Sequence, residues 1–232
     1  ESITEDTIKT LARYYLGKNI NVIIDNTNLG EKHKARWSGI AQEFDAKFEV
    51  CDLTNLPISE CIQRDKNRPH GVGSHVIIGM ALQYKLMNLG RVILCDMDGT
   101  LCDTAWRQHF VQNHPKDWDS FFAGIPRDEV RQEVLNQLID LRSLYPGCTI
   151  IFMSGRSEEY RAVTENWLDD HNIPFLIVLM RRKHDKRNGD IIKKELMETY
   201  LIKEDIVAVL DDRKRVLDMW TAELPNATII NV

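Results

Sequence analysis

The chain has 232 residues, 43% of them hydrophobic and 28% charged, which is typical of a globular protein and argues against a fibrous or disordered one. Its formal net charge of −5 argues mildly against binding nucleic acid through overall positive charge. The chain has no C-x-x-C pair and no apolar run near the ~20 residues of a membrane span, and its acidic N-terminal segment is unlike a secretory signal. We therefore expect an intracellular, cytoplasmic protein without membrane contact.

The first third of the chain alternates amphipathic and short apolar segments. Apolar spacing predicts helices over 3–16, 32–44, 59–67 and 74–87. Two apolar, β-branched runs predict strands over 21–25 and 47–51. This order of elements is typical of an α/β segment.

A second run of alternating elements begins near residue 90, and we place a domain boundary there, between 1–89 and 90–232. Strands are predicted over 92–95, 149–153, 175–179, 206–210 and 228–230, and helices over 128–144, 158–170, 191–200 and 216–224. Strands alternating with helices form parallel sheets with right-handed crossovers. Functional residues in such sheets gather at the carboxyl ends of the strands.

Three of these strands run directly into polar residues, in the motifs DMDGT (96–100), SGR (154–156) and DDR (211–213). Carboxylates converging at one sheet edge repel one another unless a cation lies among them, and Mg²⁺ prefers oxygen ligands. We therefore predict a Mg²⁺ site formed by the side chains of Asp96, Asp211 and Asp212 and the main chain of Asp98.

These residue types also indicate phosphoryl transfer. Asp96 can attack phosphorus and form an aspartyl-phosphate, while Asp98 can protonate the leaving alkoxide and later accept a proton from water. Ser154 and Lys193 can hold the phosphoryl oxygens. Taken singly, each motif is also compatible with a solvated turn or a helix cap, and Lys193 with a surface lysine.

Together, the motifs resemble those of the haloacid dehalogenase superfamily. Its four motifs correspond here to VILCDMDGTL, IIFMSGR, Lys193 and IVAVLDDR. Within it, residues 90–232 are similar to the 3′-phosphatase domain of phage-type polynucleotide kinase/3′-phosphatases. This narrower likeness lies in Arg107, in Trp167 after SGR, and in the segments MRRKHDKRNGDIIKKE and DDRKRVLDMW.

The resemblance implies a Rossmann-like parallel sheet with a small cap insert over 101–126. It also implies a Mg²⁺-dependent enzyme of nucleic-acid repair that removes 3′-phosphates from RNA or DNA ends, in the host cytoplasm if the source is a phage. Arg107 and Arg156 would contact the substrate phosphate, and Arg187, with Asp185, would lie near the leaving nucleotide. The family has an aspartate at the position of Gly189, so either Asp190 substitutes for it or the contact is absent.

The front segment resembles the kinase domain of the same bifunctional family. DNTNLGEKHKARW matches its D-x-T-N-L…W segment, and Arg64 and Arg68 match its lid arginines. No G-x-x-x-x-G-K-[ST] phosphate loop occurs, so we expect a partial P-loop-kinase-like segment without 5′-kinase activity of its own, whose N-terminal kinase portion is missing. Its sheet edge would be exposed and could pair with another chain, which leaves a homo-oligomer open.

The sequence is compatible with three functions. The first is the 3′-phosphatase, and the second is a phosphatase of nucleotides or other small phosphate esters. The third is a non-catalytic nucleic-acid-binding module. The aromatic residues Trp106, Trp118 and 121–122 and the basic run 181–187 suit a terminal nucleotide, although the aromatic residues could equally pack under the cap. A short cap leaves the site open, which favours a polymer end.

Overall fold

The computed structural model describes residues 4–112 and 114–232, so residue 3 of the first predicted helix and residue 113 of the cap insert lie outside the described residues. The chain divides into two compact units, Glu1–Pro57 and Ile58–Val232. No helix within the described ranges is both long and apolar enough to cross a bilayer.

The first unit contains two helices, α1 (Glu5–Leu16) and α2 (Glu31–Gln42), which confirm the predicted helices. The Thr4 hydroxyl caps α1 by accepting a hydrogen bond from the Thr7 amide at 3.3 Å. Ala12, Trp37 and Ile40 form a small core between the helices. The Trp37 indole donates to the Asn28 side chain at 3.2 Å.

The two strands predicted in this unit are wrong. Neither 21–25 nor 47–51 forms a β-ladder with any described residue, and the Ile23 side chain is 91% exposed. A strand is stable only when a neighbour pairs with its backbone groups, which local apolar patterning does not reveal. The expected exposed sheet edge is therefore absent from the described part of this unit.

The second unit is built on one parallel sheet. Its strands are β1 (Val92–Cys95), β4 (Thr149–Ser157), β5 (Val178–Arg181), β6 (Ile206–Asp211) and β7 (Thr228–Asn231). They lie in the order β5-β4-β1-β6-β7. The predicted strands are confirmed, with two differences. β5 begins three residues late, where it first pairs with β4 at Phe152–Val178, and β4 continues to Ser157, which pairs with Arg181. The strands that carry the three polar motifs, β4, β1 and β6, are direct neighbours.

Helices pack on both faces of this sheet. They are α3 (Ile58–Lys66), α4 (Ser74–Gln83), α7 (Gln132–Leu144), α8 (Arg161–Asp170), α9 (Gly189–Tyr200) and α10 (Lys214–Glu223). Alternate residues of β1 enter opposite core layers, Ile93 and Cys95 on one side and Val92 and Leu94 on the other. All four are buried, as is usual for a central parallel strand.

The cap insert contains a short antiparallel pair, β2 (Cys102–Asp103) with β3 (Glu129–Val130), and two short helices, α5 (His109–Gln112) and α6 (Trp118–Ala123). The helix predicted over 128–144 starts later, at Gln132, because residues 129–130 pair with β2. The predicted helix over 74–87 is α4, which ends four residues early at Gln83.

Candidate active site

A buried lysine joins the carboxylates at the ends of β1 and β6. Lys193 Nζ donates to Asp96 Oδ1 at 2.5 Å and to Asp211 Oδ2 at 2.6 Å. All three side chains are at least nine-tenths buried, so the ammonium neutralises charge that water cannot screen. The structure thus places Lys193 in the predicted site and not at the surface.

The same cluster has the donors for a divalent cation. Carboxylate oxygens of Asp96, Asp211 and Asp212 lie within 4.8 Å of one another. Gly99 has φ +85°, a conformation that favours glycine, and a Cβ at this position would collide with the Asp212 carboxylate. Three hard oxygen donors at this spacing fit Mg²⁺.

Burial controls the protonation of Asp96. Burial raises the pKa of Asp96 to about 7, because Lys193 offsets only part of the desolvation cost and the charge of Asp211 adds repulsion. A cation bound among these carboxylates would favour the ionised, nucleophilic form.

Asp98 is held by two buried arginines. Arg156 donates from Nε to Asp98 Oδ2 at 2.9 Å and from Nη2 to Oδ1 at 2.7 Å, and Arg107 Nη2 donates to the same Oδ1 at 2.7 Å. Burial opposes ionisation of Asp98, but the charges and hydrogen bonds of Arg156 and Arg107 outweigh it and hold the pKa of Asp98 at about 2. In this arrangement Asp98 is a carboxylate.

Asp128, which the sequence analysis does not single out, completes this network. Its fully buried carboxylate accepts from Arg107 Nε at 2.7 Å and from the Trp106 indole at 3.1 Å, and also pairs with Arg107 Nη2. The Trp167 indole donates to the main-chain oxygen of Asp128 at 2.9 Å. No local pattern reveals this role, because Asp128 only precedes a helix in the sequence.

The SGR motif lies inside the last part of β4, which continues past the predicted strand end at residue 153. The Ser154 hydroxyl is buried and accepts a hydrogen bond from the Arg156 amide at 3.1 Å. The main-chain oxygen of Gly155 accepts from Arg181 Nε at 2.8 Å. Arg181 Nη1 in turn donates to the main-chain oxygens of Asp185 and Arg187 at 3.0 and 2.8 Å, which ties the 185–187 loop to the site.

Within that loop, Arg187 pairs with Asp185 and Glu195, with Nη2–oxygen distances of 2.6 Å to both. Asp190 lies elsewhere: its Oδ2 accepts from Arg215 Nε at 2.9 Å, and its buried Oδ1 has no partner among the described residues. The structure therefore does not bring Asp190 into contact with the carboxylate cluster.

Arg213, which is not among the predicted site residues, lies beside the carboxylate cluster. Its backbone amide donates to Asp211 Oδ1 at 3.1 Å. The guanidinium lies near the start of α9, where a Cβ on Gly189 would stand 3.8 Å from Arg213 Nη1, an ordinary contact distance. Its position directly after the predicted DD pair was the signal available in the sequence.

The two predicted lid arginines bond locally. Arg64 pairs with Glu60 at 2.5 Å on α3. Arg68 Nε donates to Asp65 at 2.8 Å, and Asp65 also accepts from the amides of Val72 and Gly73. These contacts organise the end of α3 and the loop that follows it.

This arrangement of carboxylates, a buried lysine and two arginines at adjacent strand ends is typical of phosphatases of the haloacid dehalogenase type. The family model for the polynucleotide kinase PNKP phosphatase domain matches residues 90–226, and the chain belongs to this family. A model for an AAA domain matches residues 1–87. The expected fold, family and phosphatase class, and the kinase-like nature of the front segment, are thereby confirmed.

One curated relative is a putative bifunctional polynucleotide kinase/RNA ligase of Autographa californica nuclear polyhedrosis virus, 26% identical over 227 residues. The match covers 91% of this chain but 31% of the viral protein, so the chain spans about a third of that relative's length. Among solved structures, a chain of the Pnkp1/Rnl/Hen1 RNA repair complex is similar, with a TM-score of 0.48 and 25% identity over 98% of this chain and 78% of that one. A predicted phosphatase from Clostridium acetobutylicum is similar at a TM-score of 0.45 and 14% identity, over 62% of this chain and 85% of that one.

Proposed function

We propose that this chain removes terminal 3′-phosphates from nucleic-acid strands, RNA or DNA, with Mg²⁺ as its cofactor. The observation that carries the proposal is the buried Asp96–Lys193–Asp211 cluster directly beside the Asp98 carboxylate held by Arg107 and Arg156. The membership in the PNKP phosphatase family supports a nucleic-acid end as the substrate. The resemblance of the motifs supports the 3′ position.

In the proposed reaction, an Asp96 oxygen attacks phosphorus and forms an aspartyl-phosphate as the bond from phosphorus to the 3′ oxygen breaks. Asp98 gives its proton to the leaving 3′ oxygen, and then takes a proton from the water that hydrolyses the aspartyl-phosphate. Lys193 and the Ser154 hydroxyl hold phosphoryl oxygens. Mg²⁺ held by Asp96, Asp211, Asp212 and the main chain of Asp98 would supply positive charge to the reacting phosphoryl group.

The two arginines link substrate binding to the protonation of Asp98. While both bond to Asp98, its low pKa prevents it from acting as an acid. We propose that the substrate phosphate draws Arg107 and Arg156 away from Asp98, which raises its pKa and allows it to carry the proton. Arg187 and Asp185, tied to the site through Arg181, would flank the leaving nucleotide, whereas Asp190 would act through Arg215 on α10.

We place this activity inside a longer cytoplasmic kinase–phosphatase. The AAA domain match of residues 1–87 supports a kinase-like front segment, in which Arg64 and Arg68 would serve as lid arginines once the remaining kinase portion is present. No phosphate-loop motif occurs in the chain, so this segment alone should not transfer phosphate from ATP to a 5′-hydroxyl end.

The test is release of phosphate from a 3′-phosphorylated oligonucleotide with Mg²⁺ and with EDTA. We expect Mg²⁺-dependent release, at least about tenfold higher kcat/KM than on a nucleoside monophosphate or an aryl phosphate, and loss of turnover in Asp96→Asn. Equal rates on all three substrates would favour a phosphatase of small esters. Binding of the strand without turnover under any condition would favour a non-catalytic module.

A further inference from the structure

A row of aromatic rings extends from the buried arginines through the cap. We call Trp118, Phe121, Phe122 and Tyr160 the aromatic row. Arg107 is its inner neighbour, with the guanidinium carbon 4.0 Å from the Phe121 ring centroid and Nη1 donating to the Phe121 main-chain oxygen at 3.0 Å. Phe122 lies between Tyr160, at 4.4 Å between centroids, and Trp118, at 5.8 Å with an interplanar angle of 22°.

The aromatic row connects the two parts of the chain that hold Asp98. Three of its rings belong to α6 of the cap, while Tyr160 follows β4 four residues after Arg156. The Tyr160 hydroxyl donates to Asp119 Oδ1 at 3.3 Å, which fixes the cap to the end of β4. The row therefore begins at the arginines of the site and runs outward along the cap.

Packing under the cap accounts for the inner rings but not for the outer one. Phe121 is 4% exposed, whereas Trp118 is 46% exposed. Because much of the Trp118 indole remains in water, it contributes less hydrophobic stabilisation than a completely packed ring would. The Lys116 ammonium also lies 5.4 Å from the Trp118 ring centroid. The ammonium therefore lies over the exposed indole, and Phe122 stacks on the same ring. A base that takes the place of the lysine can stack on the indole while the ammonium pairs with the backbone, a combination of contacts that binds single-stranded nucleic acid.

We propose that Trp118 is a specificity-determining residue that stacks on a base near the 3′ end of the substrate strand, while Lys116 contacts the neighbouring phosphodiester. This inference rests on the proposed function and adds the part of the substrate that lies beyond the reacting phosphate. It identifies the substrate as a strand with at least one base within reach of the cap, and the contact depends on the aromatic face and not on which base is present.

The experiment compares Trp118→Leu, which keeps an apolar side chain, with Trp118→Phe, which keeps a ring. Substrates are a 3′-phosphorylated ten-nucleotide single strand, the same strand with abasic sites at its last three positions, and p-nitrophenyl phosphate. We expect Trp118→Leu to lower kcat/KM on the intact strand at least fivefold, mainly through KM, and Trp118→Phe to recover most of the loss. On the other two substrates both variants should stay within twofold of the parent protein, because the stacking partner is absent.

Binding and a matched control complete the design. A 3′-hydroxyl strand, the reaction product, should quench the parent protein's tryptophan fluorescence and quench Trp118→Phe less. Leu144→Ala, which removes another exposed apolar side chain, should match the parent on all substrates.

Two results would overturn the inference. One is a kcat/KM of Trp118→Leu on the intact strand equal to that of the parent protein. The other is an equal loss of kcat/KM on all three substrates, which would assign Trp118 to packing of the cap. Failure of the proposed function is seen separately, as a parent protein that hydrolyses the aryl phosphate but not the strand, and that result would overturn both.

Discussion

Replacing Asp128 by asparagine tests whether the buried network positions Arg107 for catalysis. The network contains two guanidinium groups, Arg107 and Arg156, and two carboxylates, Asp98 and Asp128, so its charges balance. Asparagine has nearly the same size, but it leaves one buried positive charge uncompensated. In the parent protein Arg107 donates to both carboxylate oxygens of Asp128. The asparagine amide offers only one oxygen to these donors, because its NH₂ group is itself a donor.

The expected loss of stability follows from the burial of the Arg107–Asp128 pair, whose side chains are both fully buried. Breaking a buried ion pair by removing one partner costs about 3–5 kcal/mol. For a domain of this size each kcal/mol corresponds to a shift of about 2–4 °C in Tm, so Asp128→Asn should lower Tm by roughly 6–20 °C. Below its Tm the folded variant should also lose at least about 100-fold in kcat/KM, since Arg107 would no longer be held from two sides.

The assay combines thermal unfolding with kinetics on the 3′-phosphorylated strand at a temperature where the variant is folded. Glu129→Gln, at the adjacent and exposed position, is the matched control and should resemble the parent protein in both measurements. A variant Asp128→Asn with an unchanged Tm and parental kcat/KM would refute the argument that this carboxylate supports Arg107.

Two further predictions concern a glycine and a surface ion-pair cluster. Gly99→Ala should lower the free energy of unfolding by about 1–2 kcal/mol, because alanine is strained at a φ of +85°. By displacing Asp212, it should also raise the Mg²⁺ concentration needed for half-maximal activity at least tenfold. Unfolding curves and Mg²⁺ titrations of activity would measure both effects, and an unchanged Mg²⁺ requirement would contradict the second. Hydrogen bonds from Lys194 and Lys203 hold the pKa of Glu223 at about 2, below its ordinary value of 4.5, so this ionised group stabilises the fold above pH 4.5 and the stabilisation is lost as pH falls toward 2. Accordingly, the Tm deficit of Glu223→Gln relative to the parent should be largest at neutral pH and shrink between pH 4.5 and 2, whereas a deficit independent of pH would exclude the charge as its cause.

Sequence patterns located the centre of the site because its residues follow apolar strands directly. The Asp96, Ser154 and Asp211 motifs each lie at or near the carboxyl end of a strand. Parallel pairing brings those ends to one sheet edge whatever the lengths of the helices between them. The cluster of carboxylates was predictable on this basis. Which side chains contact one another there was not.

The parts that escaped prediction depend on contacts between distant segments. Asp128 contacts Arg107, which lies 21 positions earlier in the chain, and Arg156, which lies on β4 after α7. No local sequence spacing therefore indicates the network. The sequence leaves open whether Asp190 takes the place of the family's aspartate at position 189. Its hydrogen bond to Arg215 depends on the direction of the first turn of α9, which the sequence does not reveal. The segments 21–25 and 47–51 have strand-like composition, but pairing requires a partner that composition cannot supply.

The position of α4 has a practical consequence for separating the front segment from the phosphatase domain. The AAA domain match extends to residue 87, yet α4 belongs to the compact unit that begins at Ile58, and its Ile78 and Leu82 are buried in one layer of the phosphatase core. A truncation between residues 87 and 90, where the two family matches meet, would remove these side chains from the core. It would also expose the apolar side of α9 to water. A loss of phosphatase activity in such a truncated protein would then reflect a damaged core and could be mistaken for an influence of the front segment on the phosphatase. A cut after Pro57 keeps the whole second compact unit.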